Sequence, residues 1–159
     1  MSNWVVQIFR ERLWPAPWLF LGTALVIPAS LLVFLPINQA VGIVVAIVLY
    51  AGCVAMLLRA SPVIEVSDTE LIAGRARLPI SAVGALDEFL GEDARLERGQ
   101  RLDARAWLLI RGWVDPVVRI EVNDADDPTP YWLLSTRRPA ELIAALETAK
   151  AATPRTPGR

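Results

Sequence analysis

The clearest candidate for chemistry in this chain is a pair of arginines that precedes a predicted helix. Arg137 and Arg138 stand directly before Pro139, which suits the first position of a helix, and Trp132 lies five residues before Arg137. The amide groups and dipole of a helix N-terminus favour an anion, and arginine forks suit phosphate or carboxylate. The pattern marks a candidate anion or partner site. The interpretation that we prefer is that both arginines are solvated or paired with carboxylates of the same chain: Asp126, Asp127 or Glu141.

A tryptophan and an acidic turn are further candidates. Trp113 lies in the turn-forming sequence RGWVD, where a tryptophan dips into a membrane, anchors a partner or folds back over a sheet edge. Asp124, Asp126 and Asp127 place three carboxylates within four residues. That spacing lacks the other ligands and the glycine of a calcium loop. We therefore interpret the acidic run as an ordinary turn and expect no metal site.

Composition excludes several classes of enzyme. The 159 residues include no histidine and one cysteine, Cys53. The chain itself therefore cannot hold a Ser–His triad, a Cys–His nucleophile or a histidine-ligated metal. Carboxylates for acid–base catalysis exist at Asp87, Glu88 and Asp115, but their spacing does not mark them, and no glycine-rich phosphate loop occurs. We expect no catalytic residue and no cofactor, and Cys53 is expected to be a packing residue.

The charged residues are distributed unevenly, and this predicts membrane spans. No charged residue occurs from Leu13 to Leu58, which is long enough for two spans of about 20 residues each. We predict a transmembrane α-hairpin over residues 17–58, with spans at about 17–35 and 39–58 and a kink at Pro28. A cleaved signal peptide is disfavoured because no cleavage site follows the first span. A buried soluble hairpin is disfavoured because the rest of the chain is too small to wrap it.

Basic residues near the ends of the spans predict their orientation. Arg10 and Arg12 precede the first span and Arg59 follows the second, whereas the turn between the spans has no basic residue. Basic residues at the ends of spans favour the cytoplasmic side of the membrane. The chain is therefore predicted to be a multi-pass protein whose two termini both lie in the cytoplasm.

The first 16 residues are predicted to form a cytoplasmic or interfacial segment. Trp14 and Trp18 occupy the positions expected for interfacial anchors. The spacing of Trp4, Val5, Ile8 and Phe9 is compatible with a short amphipathic helix in the interface. The equally weighted alternative is a frayed polar start.

Residues 59–150 are predicted to form a cytoplasmic domain of short strands. Alternating and apolar runs predict strands. The charged residues 91–103 predict a surface excursion, which is either a solvated loop or includes one helical turn. An apolar stripe predicts a final helix from Pro139 to about Lys150, and residues 151–159 are predicted to be a disordered tail. The predicted strands are 63–67, 70–74, 77–80, 84–90, 106–110, 117–122 and 131–136. The fold class is therefore a membrane hairpin plus an α+β domain, of the pleckstrin-homology-like type in which a curved antiparallel sheet or partial barrel is capped by a C-terminal helix.

Four stretches of the chain resemble the DUF3093 family. They are ERLW at 11–14, GRARLP at 74–79, RGWVDPVVRI at 111–120 and DPTPYWLLSTRRP at 127–139. The resemblance covers about residues 10–146. It implies a small membrane protein of high-G+C Gram-positive bacteria with two spans and a pleckstrin-homology-like domain. It implies no catalytic residues, because the family name denotes an unknown function.

The sequence leaves two main functional hypotheses. The first is a non-enzymatic module anchored in the bacterial plasma membrane whose domain binds a membrane-protein partner, because only Ala60–Pro62 separates the second span from the first predicted strand after it. The alternative is a lipid- or anion-binding domain that uses Arg137 and Arg138. Asp68 and Glu70 argue against phosphoinositide binding, because the corresponding hairpin loop is basic in such domains. An enzyme acting on a membrane substrate has less support, and the acidic balance after residue 60 argues against nucleic acid.

Overall fold

The computed structural model describes residues 6–34 and 36–153, which divide into two units. One unit consists of Trp14–Pro62. The other joins the residues up to Leu13 with those from Val63 onward. The second unit is therefore built from two separate pieces of the chain.

The unit Trp14–Pro62 is helical and apolar. Its helices are α1 (Pro17–Ala24), α2 (Val26–Phe34) and α3 (Gln39–Arg59). Two stretches are long and apolar enough to cross a membrane: Pro17–Phe34, with a mean hydropathy of 2.0, and α3, with 2.7. The start of α3 is capped by Asn38, whose Oδ1 accepts the backbone N–H of Ala40 at 2.9 Å.

The first apolar stretch is interrupted at Leu25, between α1 and α2. Proline has no backbone N–H, so it cannot donate the helical hydrogen bond to the carbonyl group four residues before it. Its ring also clashes with that carbonyl group. Pro28 has this relation to Ala24, the last residue of α1. The interruption accordingly lies just before the proline that predicted a kink.

One four-stranded sheet lies in the second unit and includes the N-terminal residues. Its strands, in spatial as well as chain order, are β1 (Gln7–Arg12), β2 (Val63–Ser67), β3 (Glu70–Ala73) and β4 (Ala76–Pro79), all antiparallel. Arg12 of β1 pairs with Val63 of β2. The helical unit is thus inserted in the connection between two neighbouring strands.

The structure has a strand, β1, where the sequence analysis considered a short amphipathic helix, so that prediction is wrong. Ile8 and Phe9 are successive residues of β1, and Phe9 is buried whereas Ile8 is half-buried. Their side chains therefore alternate across a sheet and do not share a helix face. Trp4 and Val5 lie outside the described residues.

A second four-stranded sheet is formed by the later strands. These are β5 (Val83–Phe89), β6 (Trp107–Leu109), β7 (Val117–Val122) and β8 (Tyr131–Ser135), in the spatial order β5-β7-β8-β6. Strands β6 and β8 are parallel. The predicted all-antiparallel sheet is therefore wrong at this edge, because β8 lies between β6 and β7 and the turn after β6 does not close a hairpin.

Two helices complete this unit. Helix α4 (Gly91–Arg98) replaces the predicted charged loop, and α5 (Pro139–Ala152) extends two residues beyond the predicted end. Ala94 of α4 is fully buried with Val117 and Leu133 of the second sheet. Helix α4 therefore covers one face of that sheet, and its charged residues lie on the other side of the helix or pair with the sheet.

The main core contains side chains of both sheets and of α5. Its largest fully buried members are Leu13, Ile64, Leu71, Ile80, Ile120, Leu134, Leu142 and Leu146. The coarse prediction of two apolar helical stretches and an α+β domain agrees with this architecture.

Candidate functional site at the start of the last helix

The register of the first sheet places a carboxylate inside the domain. Glu11 pairs with Ile64, and Ile64 pairs with Ala73. Ile64 and Ala73 are fully buried and Glu11 is only 6% exposed, so this row of side chains faces the core. A carboxylate in such a position is costly unless hydrogen bonds satisfy it.

The partners of Glu11 come from the segment just before α5. The Thr136 hydroxyl donates to Oε2 at 2.5 Å, and the backbone N–H of Arg137 donates to Oε1 at 3.0 Å. Both groups stand at the place where the sequence indicated an anion site. The anion found there is a carboxylate of the same chain, which connects the N-terminal strand to the start of the last helix.

Arg138 is also engaged within the domain. Its guanidinium donates to the backbone oxygen of Arg10 at 2.8 Å and pairs with Glu141 at 3.0 Å. It also lies over the Phe9 ring, 4.8 Å from the centroid. The pairing with Glu141 is one of the alternatives raised from the sequence. The Arg137 side chain is exposed, and its role toward an external ligand stays a prediction.

The two candidate tryptophans, Trp132 and Trp113, do not form an exposed surface patch. Trp132 is 4% exposed and packs on Trp107, with ring centroids 4.4 Å apart. Trp113 is half-buried against the main core, and its Nε1 has no hydrogen-bond partner among the described residues. Trp132 therefore cannot contact a ligand without opening the core, and Trp113 folds back onto the domain.

Trp14 and Trp18 belong to the helical unit. They are 49% and 63% exposed. Exposure of this degree is compatible with interfacial anchors, and that role stays a prediction.

The acidic turn is held by its own backbone. Asp124 accepts the N–H of Asp126 at 3.0 Å, and Asp127 accepts the N–H of Thr129 at 2.8 Å. Hydrogen bonds from Thr129, the side chain first and the backbone second, hold the pKa of Asp127 below its ordinary value. Among residues 6–34 and 36–153, no group of three or more cysteine or carboxylate side chains could hold a metal ion.

Two of the three carboxylates considered for acid–base catalysis, Asp87 and Asp115, have partners within the domain. Asp87 pairs with Arg119 at 3.1 Å. Asp115 accepts the backbone N–H of Gly91 at 2.9 Å and pairs with Arg98 at 3.0 Å, so it holds both ends of α4. These contacts indicate structural roles.

Sequence reasoning missed a second buried carboxylate, Glu97 of α4. Its side chain is 3% exposed and lies 3.4 Å from both Arg101 and Arg119. The guanidinium of Arg119 also pairs with Asp87, which links α4 to β5 and β7. The spacing of Asp87, Glu97 and Arg119 carries no signal of this cluster, and only the burial of α4 against the sheet would have revealed it.

The fold and the Glu11 site define a class of protein: an α+β domain that has its own N-terminal strand at the edge of one sheet and carries two apolar helical stretches as an insertion. The chain belongs to the DUF3093 family, described as proteins of unknown function, whose family model matches residues 8–146. That range includes Glu11 and both of its partners. No curated protein and no solved structure matches the chain.

Proposed function

We propose that this chain is a membrane-anchored, non-enzymatic module whose domain binds a membrane-protein partner at the cytoplasmic face of the plasma membrane. The insertion of two apolar stretches between β1 and β2 is the observation that carries the proposal. Because Arg12 pairs with Val63, the chain must leave and re-enter the sheet at neighbouring points. Two crossings of a membrane return the chain to the side from which it started, as this pairing requires.

The charges at the two ends of the insertion support a cytoplasmic domain. Arg10 and Arg12 lie before the first apolar stretch and Arg59 ends the second. Basic residues at span ends favour the cytoplasmic side. Attachment through two chain segments also leaves a domain less rotational freedom than attachment through one, which suits a module that presents one surface to a partner.

The outer face of the first sheet is the surface that we assign to the partner. One outward row crosses all four strands, from Arg10 through Glu65 and Ile72 to Arg77. Its members are exposed or half-exposed. Arg10 pairs with Glu65 at 3.0 Å and Arg77 with Glu70 at 2.9 Å. Exposed pairs of this kind contribute little to stability, so their charges are available to a partner.

Cysteine labelling tests the anchoring and orientation. In a Cys53→Ser background, Ile37→Cys in the turn between the apolar stretches should react with a membrane-impermeant maleimide added outside the cell. Thr148→Cys on α5 should react only after lysis. The protein should also remain in the membrane fraction after alkaline carbonate extraction. Labelling of Thr148→Cys in intact cells, or loss from the membrane fraction, would contradict the proposal.

Purification in mild detergent tests partner binding. The double variant Arg10→Glu, Arg77→Glu should lose at least tenfold of a protein partner that the native chain retains, as measured by mass spectrometry. Arg95→Glu on α4 is the matched control, because its side chain is 79% exposed and lies on a different element. Equal recovery with both variants would exclude this face. An anionic lipid recovered without any protein would instead favour ligand binding through Arg137 and Arg138.

A further inference from the structure

Strand β5 forms one outer edge of the second sheet. The sheet has the spatial order β5-β7-β8-β6, so β5 has a neighbouring strand on one side only. It is seven residues long, and its residues Ala85, Asp87 and Glu88 are exposed. The backbone groups on the open side of such an edge strand can bond to a strand from another chain.

The hydrogen bonds of the neighbouring strand β7 show which backbone groups of β5 are open. The Val122 N–H donates to the Pro130 oxygen at 3.2 Å, and the Thr136 N–H donates to the Pro116 oxygen at 3.1 Å. Both bonds continue the register of the β7–β8 ladder. Successive residues of an antiparallel pair alternate between bonded and non-bonded positions. The even-numbered residues of β7 therefore bond to β8, and the odd-numbered residues bond to β5.

Two residues of β5 consequently direct their backbone groups away from the sheet. Asp87 and Phe89 lie opposite odd-numbered residues of β7 and so bond to that strand. The N–H and C=O groups of Leu86 and Glu88 therefore point to the open side. Within residues 6–34 and 36–153, no hydrogen bond reaches these four groups.

The open part of this edge is limited at both ends. The Lys150 ammonium donates to the Gly84 oxygen at 2.9 Å, and the irregular register of β5 lies at this end as well. At the other end the Leu90 oxygen accepts the N–H of Ala94 at 3.3 Å, where α4 begins. The free groups between these ends extend over about 7 Å, the rise of two strand residues. The edge therefore suits a short extended segment.

The other edges of the two sheets offer less room. The Arg138 guanidinium covers the Arg10 oxygen in the middle part of β1. Strand β4 ends in Pro79, which has no N–H, and β6 is only three residues long. Charged caps, proline and short length are common protections of an edge strand. The second half of β5 is therefore the edge best suited to an added strand.

We propose that this open edge of β5 binds an extended segment of another protein, which adds a fifth strand to the second sheet and places a basic side chain opposite Glu88. In this mode of binding, main-chain hydrogen bonds supply affinity and side chains supply specificity. The inference depends only on the sheet domain. It does not require the membrane spans or the partner surface proposed above on the first sheet.

The charges along β5 define the chemistry of the added segment. The Glu88 carboxylate is exposed and forms no ion pair with a described residue, whereas Asp87 pairs with Arg119 at 3.1 Å. A basic side chain opposite Glu88 therefore gains a cross-strand ion pair. Leu86 lies on the same face of β5 as Glu88 and is half-buried against the main core. The segment should accordingly carry an apolar residue two positions from its basic residue.

A second copy of this chain suits the edge less well. If the β5 edges of two copies paired antiparallel, Leu86 of each copy would bond opposite Glu88 of the other. The two Asp87 residues would then stand directly opposite each other, and like charges in that position are destabilising. A basic segment of another protein has no such conflict.

Amide hydrogen exchange of the full chain in mild detergent, followed by NMR, tests whether the edge is open. In the free chain, the amides of Leu86 and Glu88 should exchange at least tenfold faster than those of Asp87 and Phe89, which bond to β7. Equal or reversed rates would overturn the proposal, because the edge would then be occupied already, by a second copy for example, or would have the opposite register.

A library of random nine-residue peptides, selected on the full chain in the same detergent, tests the occupant. The enriched peptides should carry Lys or Arg two positions from an apolar residue. One such peptide, synthesised and added to the labelled chain, should slow the exchange of the Leu86 and Glu88 amides at least tenfold. The absence of enrichment, the enrichment of acidic peptides, or slowing at other positions only would overturn the proposal.

Charge reversal separates the contact with Glu88 from a general attraction of basic peptides. Glu88→Arg should weaken binding of the selected peptide at least tenfold. Glu92→Arg is the matched control on α4, where the side chain is 71% exposed, and it should change the dissociation constant less than twofold. Equal losses in the two variants would overturn the pairing with Glu88.

The variant of the first sheet, Arg10→Glu with Arg77→Glu, separates this inference from the proposed function. It should bind the selected peptide as the native chain does, even if it loses the membrane-protein partner. Loss of peptide binding in this variant would place the peptide on the first sheet and would overturn the assignment to β5.

Discussion

Glu11 is a carboxylate that the sheet register directs into a core and that two donors stabilise. In Glu11→Ala the Thr136 hydroxyl and the Arg137 N–H lose their acceptor. Unsatisfied buried donors cost about 1–3 kcal/mol, so we expect the free energy of unfolding in detergent to fall by about that amount. Glu88→Ala, an exposed carboxylate of β5, should change it by less than about 0.5 kcal/mol. Equal stability of the two variants would mean that the Glu11 contact is not formed.

Asp103 provides a prediction about pH at the same scale. The Arg105 side chain, and then its backbone N–H, hold the pKa of this carboxyl below the ordinary value of 3.8. A carboxyl group whose pKa is lowered on folding stabilises the folded state at pH values above its ordinary pKa. This contribution is lost as the pH falls through the folded-state pKa. In Arg105→Gln, an NMR titration should show the pKa of Asp103 rising toward its ordinary value. Arg95→Gln should leave the pKa of Asp103 unchanged. A rise of similar size in Arg95→Gln would mean that the loss of any positive charge, and not of the Arg105 contact, raises this pKa.

At the scale of elements, β5 requires a glycine at position 84. The β5–β7 register is irregular between Val83 and Leu86. A Cβ on Gly84 would lie 2.9 Å from the Cβ of Glu121 and 2.8 Å from Nδ2 of Asn123. Gly84→Ala should therefore lower the free energy of unfolding by about 1–3 kcal/mol. Gly112→Ala is the control, because a Cβ there meets nothing within 4 Å, and equal losses would argue against close packing at β5.

The elements that were predictable from sequence are those whose own residues alternate or carry an apolar stripe. Strands β2 to β8 and α5 lie within a few residues of their predicted ranges for this reason. Helix α4 was predicted mainly as a loop because its sequence GEDARLER has few apolar residues, and only Ala94 and Glu97 of the helix are buried. The helical structure of α4 therefore depends on its contact with the second sheet and not on a hydrophobic pattern in its sequence.

The N-terminal strand and the Glu11 site could not be derived from local patterns. The partner of QIFRER arrives about 50 residues later, and a lone glutamate carries no signal of burial. The stretches ERLW and STRRP, both part of the family resemblance, were the available hint. They meet through Glu11 and Thr136, which are 125 residues apart in sequence.

At the scale of the whole molecule, the pairing of Arg12 with Val63 predicts that the helical unit can be removed. Replacing residues 14–62 by a short Asn-Gly turn should give a water-soluble domain with strand-rich circular dichroism and one cooperative unfolding transition, because antiparallel neighbours need only a short turn. The measurement is thermal unfolding in the absence of detergent.

The control for this prediction is a chain that begins at Val63. It lacks β1 and with it the core residues Phe9 and Leu13 and the carboxylate of Glu11. Loss of one buried large side chain alone costs about 2–5 kcal/mol, so this shorter chain should fail to unfold cooperatively. Two equally stable domains would show that β1 is dispensable.

The position of β1 ahead of the apolar helices also dictates an order of events during synthesis. Strand β1 leaves the ribosome first, but β2 follows it by about 50 residues, which takes roughly 3 to 10 seconds. During that interval Phe9 and Glu11 have no sheet to join. The β1–β2 pair can form only after both apolar stretches have been synthesised, so every domain that contains this pair also contains both completed apolar stretches.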